Sequence, residues 1–198
     1  FTLTGGQTRM EANYDPRWEL EVGGGAWCES RDVVITNCLI VGNNGSAGGG
    51  VYGGTLLNCL VATNRAGGHE SGGCGGAYGS TLIGCVITGN VAWEAGGGAG
   101  DSTLERCLIS TNSGGGGGGV IRCTLNNCIL VGNNSYFEGG GAARSTLTNC
   151  TLVANYGGFA GGGADASTLY NCIIHTNYIQ VPIYPSNCRG CEMNYCCT

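Results

Sequence analysis

The chain has 198 residues and a formal net charge of −5, with 13 acidic residues against 8 basic ones, all of them arginine. That balance excludes nucleic acid as an expected partner, because neutralising phosphates takes a basic stripe. No apolar run reaches the roughly 18–20 residues of a membrane-spanning helix, so no transmembrane segment is expected either.

The 41 glycines and 14 cysteines, met without a pattern, would suggest a low-complexity chain or a disulfide scaffold. Both recur at fixed places instead. Aligned on cysteine, the repeats fall at Cys38, Cys59, Cys85, Cys107, Cys128, Cys150 and Cys172, with steps of 21, 26, 22, 21, 22 and 22 residues. Three residues before each stands Ile35, Leu56, Leu82, Leu104, Leu125, Leu147 or Leu169. Five residues after each stands Asn43, Asn64, Asn90, Asn112, Asn133, Asn155 or Asn177. A period in the low twenties predicts a solenoid.

Taken in chain order, Phe1 to Gly6 reads as half a repeat, with Phe1 in the cysteine position and Gly6 in the asparagine position. The chain therefore begins mid-rung, and with no methionine at its start a removed leader or an upstream region is expected. Residues 7–22 hold six charged residues and Pro16 and break the period, which predicts a loop or cap insertion on the first coil. A short insertion with Trp27 and Cys28 follows.

Each repeat then offers three short strands, since no helical period survives three turns. The first lies at the glycine cluster, around Ala26, Val51, Ala77, Ala99, Val120, Ala142 and Ala164. The second is the Ser-Thr-Leu segment, and the third runs from the cysteine to the asparagine. The residue before each cysteine is Asn37, Asn58, Gly84, Arg106, Asn127, Asn149 or Asn171, which predicts a left-handed turn there, with Arg106 the awkward occupant. Stacked rungs lie about 4.8 Å apart, so the leucines, the cysteines and the column Ile40, Val61, Ile87, Ile109, Leu130, Leu152 and Ile174 can fill the interior. The asparagines would bond to their neighbours above and below. The fold class expected is all-β, a right-handed parallel β-helix of seven to eight coils over 1–177, with a Cys-rich cap at 178–198.

The phrase GGG-x3-STL-x-N-C-x-L-x2-N resembles the repeats of bacterial right-handed parallel β-helix proteins. These are the polymorphic outer-membrane-protein-like repeats and the choice-of-anchor Q domain surface proteins. The resemblance runs from Phe1 to Asn177. It implies a secreted or cell-surface bacterial protein, often part of a longer chain, and brings no catalytic motif.

Where such repeats commonly carry outward Thr or Ser on the third strand, this chain reads Leu39/Val41, Leu60/Ala62, Val86/Thr88, Leu108/Ser110, Ile129/Val131, Thr151/Val153 and Ile173/His175. A strand apolar on both faces is buried on both faces. Leu39, Val41, Leu60, Val86, Leu108, Ile129, Val131, Val153 and Ile173 therefore form a candidate face for self-association or for an adjoining domain. The competing reading covers that face with residues 7–22 or with the tail.

The ladder cysteines read as buried thiols, with disulfides or metal ligation as alternatives. The tail cysteines Cys188, Cys191, Cys196 and Cys197 suit two disulfides, or else a zinc site with four thiolates. Cys28, Cys74 and Cys123 have no evident pairing. No cofactor is expected. The nearest approach to a catalytic set is Asp101, Arg122 and Arg144 on consecutive rungs with Asp165 one position off, and opposite charges so placed usually neutralise one another. His69 and His175 are isolated. A single threonine column (Thr55, Thr81, Thr103, Thr124, Thr146, Thr168) lacks the second column of an ice-binding solenoid. The expectation is a non-enzymatic, exported structural or adhesive rod that assembles into a filament, sheath or surface layer. The alternative is a carbohydrate-binding or polysaccharide-degrading β-helix that uses the loop aromatics Trp93, Tyr136, Phe137, Tyr156 and Phe159 on cell-surface glycans.

Overall fold

The computed structural model describes residues 1–7, 22–67, 73–180 and 183–198. Most of the expected insertion at 7–22 lies outside the described residues, as does His69. The described chain is all-β and winds into a parallel solenoid whose strands form four sheets of eight strands each. In one representative coil, Ala142–Ala143 belongs to a glycine wall, Thr146–Thr148 to a threonine wall, Thr151–Val153 to an aliphatic wall and Tyr156–Gly157 to a fourth wall. Register is one coil per step throughout, as Leu125 opposite Leu147 opposite Leu169 shows.

Four inward columns make the core. The leucines of the threonine wall, the Ile/Leu/Val residues of the aliphatic wall, the Ala/Val residues of the glycine wall and the cysteines are almost all fully buried. Each buried leucine or isoleucine contributes roughly 1.5–3 kcal/mol relative to exposure. At the corner between the aliphatic and fourth walls, the asparagines form an unbroken buried chain. Asn90, for instance, donates from its backbone N and its Nδ2 to Asn112 Oδ1, both at 2.9 Å, and from Nδ2 to Val61 O at 2.9 Å.

The left-handed corner before the cysteine is present, with positive φ at Asn37, Asn58, Gly84, Arg106, Asn127, Asn149 and Asn171. Two further left-handed corners occur in each coil. One precedes the asparagine, at Gly42, Thr63, Gly89, Thr111, Gly132, Ala154 and Thr176, and the other includes Asp101, Arg122, Arg144 and Ala166.

Three expectations are corrected. The coil has four strands rather than three, because the chain keeps pairing beyond the asparagine: Tyr156 N donates to Asn133 O at 2.8 Å, and Asn134 N to Asn112 O at 2.9 Å. The tail is a further, incomplete coil and not a separate stapled cap. Cys188–Arg189 pairs with Ala164–Asp165, Glu192–Asn194 pairs with Thr168–Tyr170, and Cys197 bridges Ile173, which sets Cys196 opposite Cys172 as an eighth ladder cysteine. The tail disulfides are not formed, and all 14 cysteines are thiols. Cys196 and Cys197 lie apart from the other two and on opposite faces of one strand, whereas the Cys188 and Cys191 thiols meet each other across two columns and stay unbridged.

Candidate functional site

Strand period puts every second residue of the aliphatic wall outside. The column one residue past each cysteine reads Leu39, Leu60, Val86, Leu108, Ile129, Thr151 and Ile173, in continuous register. Leu39, Ile129 and Ile173 keep 46%, 48% and 51% of their surface open, and Leu108 is exposed as well. Leu60, Val86, Val41, Val131 and Val153 are half-buried by neighbours along the wall. Thus all nine residues of the expected face lie on one wall. A polar patch interrupts it, where Ser110 and Thr111 each bond to Thr88 Oγ1 at 3.0 Å. The tail does not cover this wall, since Cys197 extends the column past Ile173.

Shallow hollows mark both ends of the corner beside this column. Asn37, Leu39, Asn58, Leu60, Gly84 and Val86 line one, and Asn149, Thr151, Asn171, Ile173, Tyr195 and Cys197 line the other. Leucine and isoleucine side chains there stand next to a row of exposed amides, with Asn171 Nδ2 donating to Asn149 Oδ1 at 2.7 Å.

The loop aromatics gather at another edge. Trp93, Tyr136, Phe137 and Phe159 lie between the fourth and glycine walls of their coils, all half or more exposed, with Trp93 open over 63% of its surface. Tyr156 points outward from the fourth wall and stacks on Tyr178, with ring centroids 5.7 Å apart. The loops carrying them are tied coil to coil, as Tyr136 N donates to Gly114 O at 3.0 Å and Phe137 N to Gly115 O at 3.1 Å.

The charged column resolves into ion pairs. Arg122 holds Asp101 with two bonds, Nε to Oδ1 at 2.9 Å and Nη2 to Oδ2 at 2.7 Å. Arg189 Nε reaches Asp165 Oδ1 at 2.9 Å, and Arg144 pairs with Glu138. The Arg122 guanidinium and a hydrogen bond with Tyr78 hold the Asp101 carboxyl below its ordinary range, while burial and Asp101 push Tyr78 up to about 12. Burial pushes Glu138 up, and its second carboxylate oxygen is buried without a hydrogen-bond partner. Alongside, the outer face of the glycine wall is roofed by its own loops, forming a small second core of Cys74, Ala95, Ile121 and Ala143. The His175 side chain is exposed, its Nδ1 beside the hydroxyl of neighbouring Thr176. Among the described residues no group of three or more His, Cys, Asp or Glu is placed to hold a metal ion.

Because Asp101 titrates lower in the folded chain, its contribution is present above the unfolded value of about 3.9 and is lost as pH falls through the folded one. Asp101→Asn should cost under about 1 kcal/mol at pH 7, since the pair is partly solvated, and should remove part of the acid sensitivity below pH ~4. Urea midpoints of both proteins at pH 7 and at low pH would check this; identical pH profiles would refute it.

The second outward column of the threonine wall reads Leu57, Ile83, Glu105, Asn126, Thr148 and Tyr170, so only one threonine column exists.

No protein-family model matches the chain, and no curated protein matches it. Among solved structures, it is similar to a trypsin-treated form of QnrB1, a plasmid-mediated fluoroquinolone resistance protein. The TM-score is 0.34 and the identity 16%, over 84% of this chain and 68% of that one. Full-length QnrB1 gives a TM-score of 0.26 and 11% identity, over 81% and 93% of the two chains. Likeness at this level carries nothing about function.

Proposed function

We propose that the chain is a non-enzymatic structural protein that joins copies of itself through the aliphatic wall. The carrying observation is the outward column Leu39, Leu60, Val86, Leu108, Ile129, Thr151 and Ile173, apolar at six of its seven positions, with Leu39, Leu108, Ile129 and Ile173 exposed and the other three half-buried. A mostly aliphatic column of this kind can pack against the same column of a second copy, and burying such a row removes apolar surface from water at about 25 cal/mol per Å². The closest fit is a second copy laid wall to wall, assembling into a filament, sheath or surface layer. A bacterial cell-surface location follows from the repeat resemblance, and cell fractionation tests it.

Analytical ultracentrifugation over a wide concentration range is the direct test of self-association. The native chain should shift to larger species as concentration rises, and Leu108→Glu/Ile129→Glu should remain a monomer with unchanged circular dichroism. A native chain that stays monomeric throughout would sink the proposal.

The second reading, a glycan-binding rod, is favoured by one observation: Trp93, Tyr136, Phe137 and Phe159 stand exposed along one edge on firmly tied loops. A glycan array on which the native chain binds and Trp93→Ala does not would support it; an empty array would count against it.

A further inference from the structure

The cysteine file does more geometrically than a column of small apolar residues would. Cys38, Cys59, Cys85, Cys107, Cys128, Cys150, Cys172 and Cys196 stand at the same point of successive coils. From Cys59 to Cys172 they are almost completely buried, and Cys38 and Cys196 at the two ends are partly open. Register sets each thiol one coil from the next, from Cys85 through Cys172 to Cys196. The sulfurs also meet amide donors of the preceding coil: Cys59 N bonds to Cys85 Sγ at 3.4 Å, and Cys107 N to Cys128 Sγ at 3.5 Å.

These thiols are poorly placed for disulfides, because rung spacing holds their Cβ atoms about 4.8 Å apart and parallel, where a bridge wants roughly 3.8 Å. One atom inserted between two sulfurs meets the opposite situation. A linear sulfur–metal–sulfur unit with bonds of about 2.3 Å spans about 4.6 Å, close to the rung spacing. Apart from the next sulfur of the file and backbone carbonyls, which are hard donors, the surroundings supply no ligand, since the neighbouring columns are Leu, Ile and Ala. That excludes zinc, which needs four ligands, and suits soft d10 cations that accept two.

We propose that adjacent-coil cysteine pairs of this file bind Cu(I), one ion between two sulfurs. Each ion forms two copper–sulfur bonds and releases two thiol protons to solvent, with no electron transfer. Backbone N–H groups that point at the sulfurs stabilise the negative charge left on the pair, and the positive ion offsets the carbonyl oxygens to which the thiols donate before loading. Loading begins at the partly open ends, Cys38 and Cys196. Eight thiols taken pairwise hold about four ions, and binding weakens as pH falls because protons compete.

Two double variants of equal cysteine content provide the test. In Cys107→Ala/Cys128→Ala the file breaks into two runs of three, each able to seat one ion. In Cys85→Ala/Cys150→Ala it breaks into three adjacent pairs, each seating one. Reduced full-length chains would be titrated anaerobically with Cu(I) supplied as its acetonitrile complex and followed by ultraviolet thiolate-to-copper absorption and native mass spectrometry. The second variant should bind about one ion more than the first, although both keep the same number of thiols. Equal stoichiometry would overturn the proposal. Thermal unfolding supplies a readout that does not depend on the variants: Cu(I) should raise the melting temperature of the native chain, whereas a lowered one would mean that copper binds only thiols of the unfolded chain and would equally overturn it.

Discussion

Gly140→Ala should break the solenoid in two. A Cβ at Gly140 would lie 2.4 Å from Gly162 O, 2.4 Å from Tyr156 C and 2.5 Å from Tyr156 N. All three are backbone atoms of the fourth wall and the next coil, so no side chain can swing away to make room. The rungs must separate, and the bonds that cross this point, such as Gly141 N to Gly163 O at 3.1 Å, go with them. Repeat stability is close to a sum of nearest-neighbour terms, so one broken interface uncouples the coils on either side. The expected loss exceeds about 4 kcal/mol. Gly79→Ala is the control. Gly79 has φ +64° with nothing within 4 Å of an added Cβ, so only the left-handed backbone penalty of about 1–2 kcal/mol applies. Urea unfolding by circular dichroism compares them, and equal midpoints would show that close backbone approach is not what the glycine wall requires.

Asn133→Ala should cost nearly as much, for a different reason. Asn133 Oδ1 accepts from Asn112 N and from Asn112 Nδ2, both at 3.0 Å. Its Nδ2 donates to Ile109 O at 2.9 Å and to Asn155 Oδ1 at 3.0 Å. Alanine removes four hydrogen bonds in a corner with no exposed surface at Asn112, Asn133 or Asn155. The Asn112 N–H loses its acceptor, while Asn112 Nδ2 keeps Ile87 O and Asn155 Oδ1 keeps the backbone N of residue 133. Four lost bonds at about 1 kcal/mol each, with the added cost of the bare Asn112 N–H, sum to on the order of 4 kcal/mol. Asn133→Asp keeps the size and one acceptor but turns the donor into a second oxygen facing two others, so it should be no milder. Asn127→Gly, at an exposed left-handed corner outside this chain of bonds, should change stability by under about 1 kcal/mol. Hydrogen exchange would place the damage. Protection should fall first in the coils around Asn112 and Asn155, and uniform protection across the chain would refute the argument.

Legibility differed from column to column. Leu147, Cys150, Leu152 and Asn155 announce their coil because each repeats an identical chemistry at an identical offset, and stacking turns that repetition into a ladder. The fourth wall gave no such signal. Its inward residues are small (Gly45, Ala66, Ala92, Gly114, Ser135, Gly157), and its outward ones range from Arg65 to Tyr156, so neither alternation nor a strand-forming residue type marks it. The tail was hidden for a related reason. Asn187 stands where the third glycine belongs, Met193 replaces the leucine and Tyr195 the left-handed asparagine, so a cysteine count drew more notice than the register did.

The candidate site divides in the same way. Sequence identified the apolar outward column, because alternation along a three-residue strand assigns faces with no knowledge of the neighbours. It also placed the charged column on consecutive rungs. It could not pair Arg144 with Glu138 or Arg189 with Asp165, since those partners meet across loops and coils of unequal length.

Repetition within the chain was therefore enough to settle the period, the core columns, the asparagine ladder and which residues point outward, because each depends on local backbone geometry copied once per coil. The tertiary structure alone decided the number of walls, the membership of Cys196 in the ladder and the openness of the aliphatic wall. Those depend on which distant segment comes to lie against a residue, and that is a property of the stacked coils rather than of any one of them.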